Sequence, residues 1–285
     1  MIDLLVPKSV AELREVSGEG RLIAGGTDLL VQMRAGRHEE RLIDVSSLDD
    51  GPPAVCAEDD SIEISALRPI SRIVTALSGA LPAVSAAAAV FASLQVRNRA
   101  TIGGNLANAS PAADMVPPLV VASAVATIEG PEGSRQEPVL ELASGPGRNT
   151  LRVGEWISSL RVPRPAGREG FRKLGGRFGM AISIVNLAWR WSIDEDGVLF
   201  GVRLAAGAVA PTVIRCERAE QEIEGNRATE GVLRRSVAAI KADISPIDDV
   251  RATAWYRREA IGGLLEEALL AHASPEDGDG GIGGA

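Results

Sequence analysis

Two short segments carry the residue types from which a nucleotide site is built. The first is Leu22-Ile-Ala-Gly-Gly-Thr-Asp-Leu29. An apolar stretch ends in two glycines, and a helical pattern begins at Leu29. Successive backbone N–H groups in such a turn converge on one concave point of positive potential, which suits a pyrophosphate. The same residues also describe a tight strand-to-helix turn capped by Thr27 or Asp28, and the pattern leaves both readings open. The second segment is Thr101-Ile-Gly-Gly-Asn-Leu-Ala-Asn-Ala-Ser-Pro-Ala-Ala-Asp114. Thr101, Asn105, Asn108 and Ser110 are short hydrogen-bonding side chains. Gly104 permits close approach of the backbone, and Asp114 can accept from two ribose hydroxyls. The alternative is a polar surface loop. Against it, residues 100–114 hold no Lys, Arg or Glu, which exposed loops usually carry.

Other chemistries lack their residues. There is no Gly-x4-Gly-Lys-Ser/Thr loop and no His-Glu-x-x-His. Gly278-x-Gly280-x-x-Gly283 matches the dinucleotide fingerprint in letter only, because no strand–helix unit surrounds it. Cys56 and Cys216, with His38 and His272, are too few and too scattered for a cysteine-held cluster or a His-built metal centre. The cysteines read as small buried hydrophobes, the histidines as surface residues. A net charge of −8 over 285 residues argues against a general nucleic-acid binder. An aromatic content of 3% argues against a platform for stacking single strands. No apolar run approaches a membrane span; the longest, residues 80–90, is broken by Pro82. Asp3 with no basic region ahead of it argues against a secretory signal, so a cytoplasmic protein is expected.

The elements that must position the two segments follow from periodicity. Residues 22–24 and 41–45 read as strands around a helix at 29–35, and Ser9-Val-Ala-Glu12 has the capping-box form ahead of another helix. Alternation at Ile62, Ile64 and Ala66 predicts a strand, and residues 69–92 are helical with a break near Pro82. Residues 95–118 lack periodicity and read as a packed functional loop. Strands are expected over 120–129 and 155–162. Beyond Pro165 the pattern becomes a meander at 171–174, 181–193 and 198–209, with Asp194-Glu-Asp-Gly197 as a hairpin turn. Helices are expected over 217–225, 229–242 and 251–271. Residues 274–285, rich in Gly and Asp, read as a disordered tail. The expected division is 1–167 and 168–273.

Four motifs, in this order, resemble one known family. They are Ala24-Gly-Gly-Thr-Asp-Leu-Leu30, the 101–114 segment, Phe171-Arg-Lys-Leu174 with Ala181-Ile-Ser183, and Arg251-Ala-Thr-Ala-Trp-Tyr-Arg-Arg258. The family is the FAD-binding medium subunit of molybdenum hydroxylases, which includes the flavoprotein subunits of carbon monoxide dehydrogenase and xanthine dehydrogenase-type enzymes. The resemblance covers residues 3–272. It implies an α+β fold: a two-lobed FAD-binding fold of the vanillyl-alcohol oxidase-like type, then a C-terminal domain of a three-stranded antiparallel sheet with a helical bundle. Ile23, Ala24, Gly25, Gly26, Thr27, Asp28 and Leu29 would hold the pyrophosphate. Thr101, Gly104, Asn105, Asn108 and Ser110 would line the phosphate and ribose path, and Asp114 would bind the ribose. Ile157 would lie beside the adenine end. Phe91 would stand near the flavin or adenine, though core packing explains it equally well. Lys173 would sit at the pyrimidine edge of the isoalloxazine, where a cation stabilises the anionic reduced flavin; Arg177 is a second candidate. Without the resemblance, Lys173 reads as a solvated strand residue.

The implied function is an FAD-containing electron-transfer subunit. Molybdopterin is expected only on a large partner subunit and [2Fe–2S] clusters only on a small one, in a dimer of heterotrimers. FAD would be non-covalent, because the matched motifs offer neither His nor Cys as an attachment point. The uncharged loop 107–111, or the apolar strand containing Trp189 and Trp191, would face the partners. A stand-alone FAD-dependent oxidase or dehydrogenase of the same fold is the alternative, and a non-catalytic flavin-binding protein a third class. The family's xanthine dehydrogenase branch carries an acidic pair soon after the basic residue; here Phe178-Gly-Met180 stands in that stretch.

Overall fold

The computed structural model describes residues 2–48, 53–77, 79–164, 166–177 and 180–271. The 274–285 tail, the Gly278–Gly283 match, His272 and Phe178 lie outside them. The first lobe runs β1 (Asp3–Leu5), α1 (Val10–Val16), β2 (Arg21–Ile23), α2 (Leu29–Arg34) and β3 (Arg41–Asp44). Ser9 Oγ accepts from Glu12 N at 3.1 Å and so starts α1. The three strands form a parallel sheet with β3 in the middle. Its small core of Leu13, Ile43, Val45 and Leu48 is completed by Trp156 of the second lobe.

The second lobe holds β4 (Val55–Ala57), β5 (Ser61–Ser65), α3 (Ile70–Ala76), α4 (Pro82–Val90), α5 (Leu94–Arg97), α6 (Ile102–Ala107), α7 (Val116–Val121), β6 (Val125–Gly130), β7 (Gly133–Pro138), β8 (Ala143–Gly145), β9 (Arg148–Asn149) and β10 (Trp156–Pro163). Five strands make an antiparallel sheet in the order β4-β5-β10-β6-β7, and the helices pack on it through Ile64, Ile73, Leu119 and Leu160. Two expectations are corrected here. The segment read as a loop over 95–118 contains α5, α6 and the first turn of α7. Ser93 Oγ accepts from Val96 N and Thr101 Oγ1 from Gly104 N, so side-chain caps start helices too short to show a period. The strand expected over 120–129 is α7 up to Val121, then a turn through Ser123 at φ +59°, then β6. A continuous apolar run does not reveal which of the two it is.

The C-terminal unit is the expected meander. It comprises β11 (Arg168–Gly175), β12 (Ser183–Ile193) and β13 (Val198–Gly207), with the two-residue strands β14 (Ile214–Arg215) and β15 (Asn226–Arg227) added on β13. Helices α8 (Glu217–Ile223), α9 (Glu230–Asp243) and α10 (Ala254–Leu270) cover one face, over a core that includes Leu187, Trp191, Leu204, Ile240, Ile261 and Leu265. The other face, with Phe171, Ala188 and Ala205, joins the second lobe's core. Strand alternation therefore decides the fate of Trp189 and Trp191. Both point at the helices, are buried, and stack on each other with ring centroids 6.0 Å apart. They form core rather than a docking surface, contrary to expectation.

Candidate functional site

The two glycine segments meet across a cleft between the lobes. Ile23, Ala24, Gly25, Gly26, Thr27, Asp28 and Leu29 line one side of a 110 Å³ cavity. Phe91, Thr101, Gly104, Asn105 and Asn108 line the other. An adjoining cavity of 310 Å³ shares Ala24, Thr101 and Gly104 as its wall and is lined also by Ile157 and Trp156. Gln32 Nε2 donates to Asn108 Oδ1 at 3.1 Å, tying α2 to the end of α6 across 76 residues of chain.

The glycines divide by role. A Cβ on Gly25 would fall 2.5 Å from the Arg99 carbonyl carbon and 2.9 Å from Ala100 N, so here the two segments pack backbone on backbone. Gly26, at φ +70°, adopts a left-handed conformation that disfavours a side chain. Gly103 presses on the Ala66 carbonyl, at 2.8 Å from where a Cβ would stand. Gly104 is different. A Cβ there would meet only Thr101 Oγ1, at 3.0 Å, and Gly104 lines both cavities. It is the wall against which a ligand's backbone-hugging part can lie.

The cleft holds unspent hydrogen-bonding capacity. Among the described residues, the N–H groups of Gly25, Gly26, Thr27 and Asp28 donate to no protein group. Asn105 Oδ1 is buried without a partner. Buried polar atoms left unmatched are costly, so these groups fit a polar ligand. Burial pushes the Asp28 carboxyl above its ordinary value. The sequence reading missed Arg21. It lines both cavities, and burial together with the neighbouring Arg37 pushes its guanidinium down from the ordinary value. Free amide donors, a wall without a Cβ and a cation at the junction of two cavities fit a diphosphate carrying a flat group on one side.

The remaining candidates lie elsewhere. Ser110 Oγ accepts from Ala112 N at 3.3 Å, within its own turn. Asp114 is packed against the C-terminal sheet, where Lys173 Nζ lies 2.5 Å from its Oδ2 and the two side chains are only 7% and 9% exposed. Its Oδ1 accepts from Ser183 Oγ at 2.6 Å and Asn186 Nδ2 at 3.0 Å. Both Asp114 oxygens are thus engaged by the protein itself, and Lys173 is no solvated strand residue. Arg177 instead caps the Met180 carbonyl at 3.1 Å. Cys216 is buried as expected, but Cys56 is exposed, on the edge strand β4. His38 is exposed. Among the described residues no three His, Cys, Asp or Glu are grouped to hold a metal ion.

Residues 1–165 match the family described as the FAD binding domain in molybdopterin dehydrogenase. Residues 170–272 match the CO dehydrogenase flavoprotein C-terminal domain. The chain belongs to this flavoprotein family. It is 30% identical over 259 residues to the xanthine dehydrogenase FAD-binding subunit of Escherichia coli O157:H7, covering 88% of each. It is 31% identical over 283 residues to subunit alpha of the 6-hydroxypseudooxynicotine dehydrogenase complex of Paenarthrobacter nicotinovorans, covering 94% of this chain and 93% of that one. Among solved structures it superposes on carbon monoxide dehydrogenase from Hydrogenophaga pseudoflava with a TM-score of 0.89 at 27% identity, covering 96% of this chain and 98% of that one. The mixed α+β architecture, the FAD-binding domain followed by a flavoprotein C-terminal domain, and the oxidoreductase class stand on these matches.

Proposed function

We propose that this flavoprotein is the FAD-carrying electron-transfer subunit of a cytoplasmic molybdenum hydroxylase, working with a small subunit that holds [2Fe–2S] clusters and a large molybdopterin subunit, in a dimer of heterotrimers. The observation that carries the reading is the interlobe cradle of four unspent N–H donors beside the Cβ-less Gly104. The chain's own composition supports the division of labour: two Cys and two His cannot supply the ligands that such clusters need. Bound FAD supplies the exchange between one-electron and two-electron chemistry.

The protein's residues bind and orient. The Gly25–Asp28 amides would donate to the diphosphate, Asn105 Oδ1 would accept from a ribose hydroxyl, and Arg21 would balance the phosphate charge. Ile157 would give the adenine end an apolar wall in the larger cavity. Lys173, paired with Asp114, would face the pyrimidine edge of the ring system, the place the family resemblance implies for it. Non-covalent attachment fits the positions of Cys56, Cys216 and His38, none of which lines either cavity. Named relatives act on chemically unrelated substrates at similar identity, so the substrate is chosen by a partner.

The test uses the full chain loaded with FAD under anaerobic conditions. Purines, aldehydes, N-heteroaromatics and carbon monoxide should each leave the flavin absorbance unbleached, while dithionite bleaches it. Adding the two partner subunits should let one of these substrates bleach it. Bleaching by an organic substrate with this chain alone refutes the proposal in favour of a stand-alone flavoenzyme.

A further inference from the structure

Asn186 is fully buried in the middle of β12, on the face packed against the second lobe. The sheet makes room for it: Gly207 stands opposite on β13, and a Cβ there would collide with the amide of Asn186. The amide's Oδ1 has no hydrogen-bond partner. All its bonds are donated by Nδ2, at 3.0 Å to Asp114 Oδ1 and 3.2 Å to Ser183 Oγ. Ser183, also buried, donates to the same Asp114 oxygen at 2.6 Å. Within the protein the amide is therefore used through its donor half alone. That half, with Ser183, occupies one carboxylate oxygen and leaves the other for Lys173.

Lys173 is the residue directly across from Asn186, on β11. It is one of three lysines, with Lys8 and Lys241, in a chain that otherwise uses arginine for its cations. Lysine's compact ammonium on a flexible stem does not fix its own direction, unlike the planar fork of arginine. Its position must come from outside. We infer that Ser183 and Asn186 are positioning residues that clamp Asp114 and, through its second oxygen, fix the Lys173 ammonium. The consequence for the flavin rests on the reading of Lys173 given above; the clamp itself does not.

The test has two arms, so the two failures are distinguishable. In the first, the full chain without flavin is treated with acetic anhydride, and acetylation of Lys173 is read by mass spectrometry against Lys8. Asn186→Leu and Ser183→Ala should each raise relative acetylation of Lys173 about fivefold, the factor expected for loss of one such bond. Ser183→Thr, which keeps the hydroxyl, should restore protection. Unchanged protection in both loss variants overturns the clamp; Ser183→Ala decides alone if Asn186→Leu does not fold.

In the second arm the flavin midpoint potential is measured. Asn186→Leu should weaken the reduced state up to about tenfold, which is about 30 mV for a two-electron couple. In a Lys173→Met background the same substitution should add nothing, since it acts through Lys173. An equal shift in both backgrounds overturns the relay. If Lys173→Met itself leaves the potential unchanged while the acetylation result holds, the clamp stands and the flavin-edge role of Lys173 falls.

Discussion

Gly104→Ala should move stability and cofactor affinity in opposite directions. Gly104 lies within α6, and replacing Gly by Ala inside a helix is favourable by up to about 1 kcal/mol. The new Cβ would meet one atom, Thr101 Oγ1 at 3.0 Å, where ordinary contact begins at 3.4 Å. The hydroxyl must yield by a few tenths of an ångström, which a small shift of Thr101 supplies while its cap to the Gly104 N–H is kept. The flavin-free chain should therefore melt unchanged or about 2–4 °C higher. On the ligand side, the methyl group enters a cavity of only 110 Å³. If a diphosphate lies against that wall, it must withdraw from the amides of Gly25–Asp28. Losing even one charge-assisted bond there costs about 1.5–3 kcal/mol, roughly ten- to a hundredfold in affinity. The assay pairs thermal unfolding of the flavin-free chain with titration of FAD followed by quenching of its fluorescence. Gly25→Ala is the contrast. Its Cβ would strike the Arg99–Ala100 backbone, so that variant should lose stability and FAD together. An unaltered FAD affinity in Gly104→Ala would refute the placement of the ligand against this wall.

Two further outcomes follow from burial and charge. Burial opposes ionisation of Asp249, but the N–H groups of Arg251 and Ala252 and the Arg257 guanidinium outweigh it, holding the carboxyl down to about 2. A folded value below the unfolded one, 3.8, contributes stability above that pH and loses it as pH falls toward 2; Asp249→Asn should lower the melting temperature at pH 7 and flatten its fall between pH 4 and 2, as followed by circular dichroism, with about 1–3 kcal/mol lost at neutrality. Burial pushes the Cys216 thiol well above its ordinary value, whereas Cys56 is exposed; a thiol reagent at pH 8 should therefore label one cysteine per chain quickly and the second only on unfolding, and rapid labelling of both would contradict the buried placement.

How much of this the sequence discloses depends on how far each feature reaches. The meander after residue 165 is legible because β11–β13 alternate between two buried faces over eight to eleven residues. The β6–β7 hairpin is half hidden, since β7 reads Gly-Ser-Arg-Gln-Glu-Pro and has no apolar side to announce it. Helices α5 and α6 are invisible to periodicity because each is one turn or so, started by a capping hydroxyl. At the site, the glycine pairs are legible as types but not as roles. Only the fold separates Gly25 and Gly103, which admit backbone against backbone, from Gly104, which faces the cavity. Arg21 gave no signal at all, because its place at the junction of two cavities is set by lobe docking. Asp114 illustrates the limit best. Read along the chain it ends a polar ligand-binding segment, yet its partners come from β11 and β12, 59 to 72 residues away. A motif reports that a carboxylate is needed; whether its oxygens go to a ribose or to a lysine is decided by which sheet the segment is laid against. Here that sheet carries an ammonium and two donors into the same buried space, so the carboxylate is satisfied by the protein before any ligand arrives.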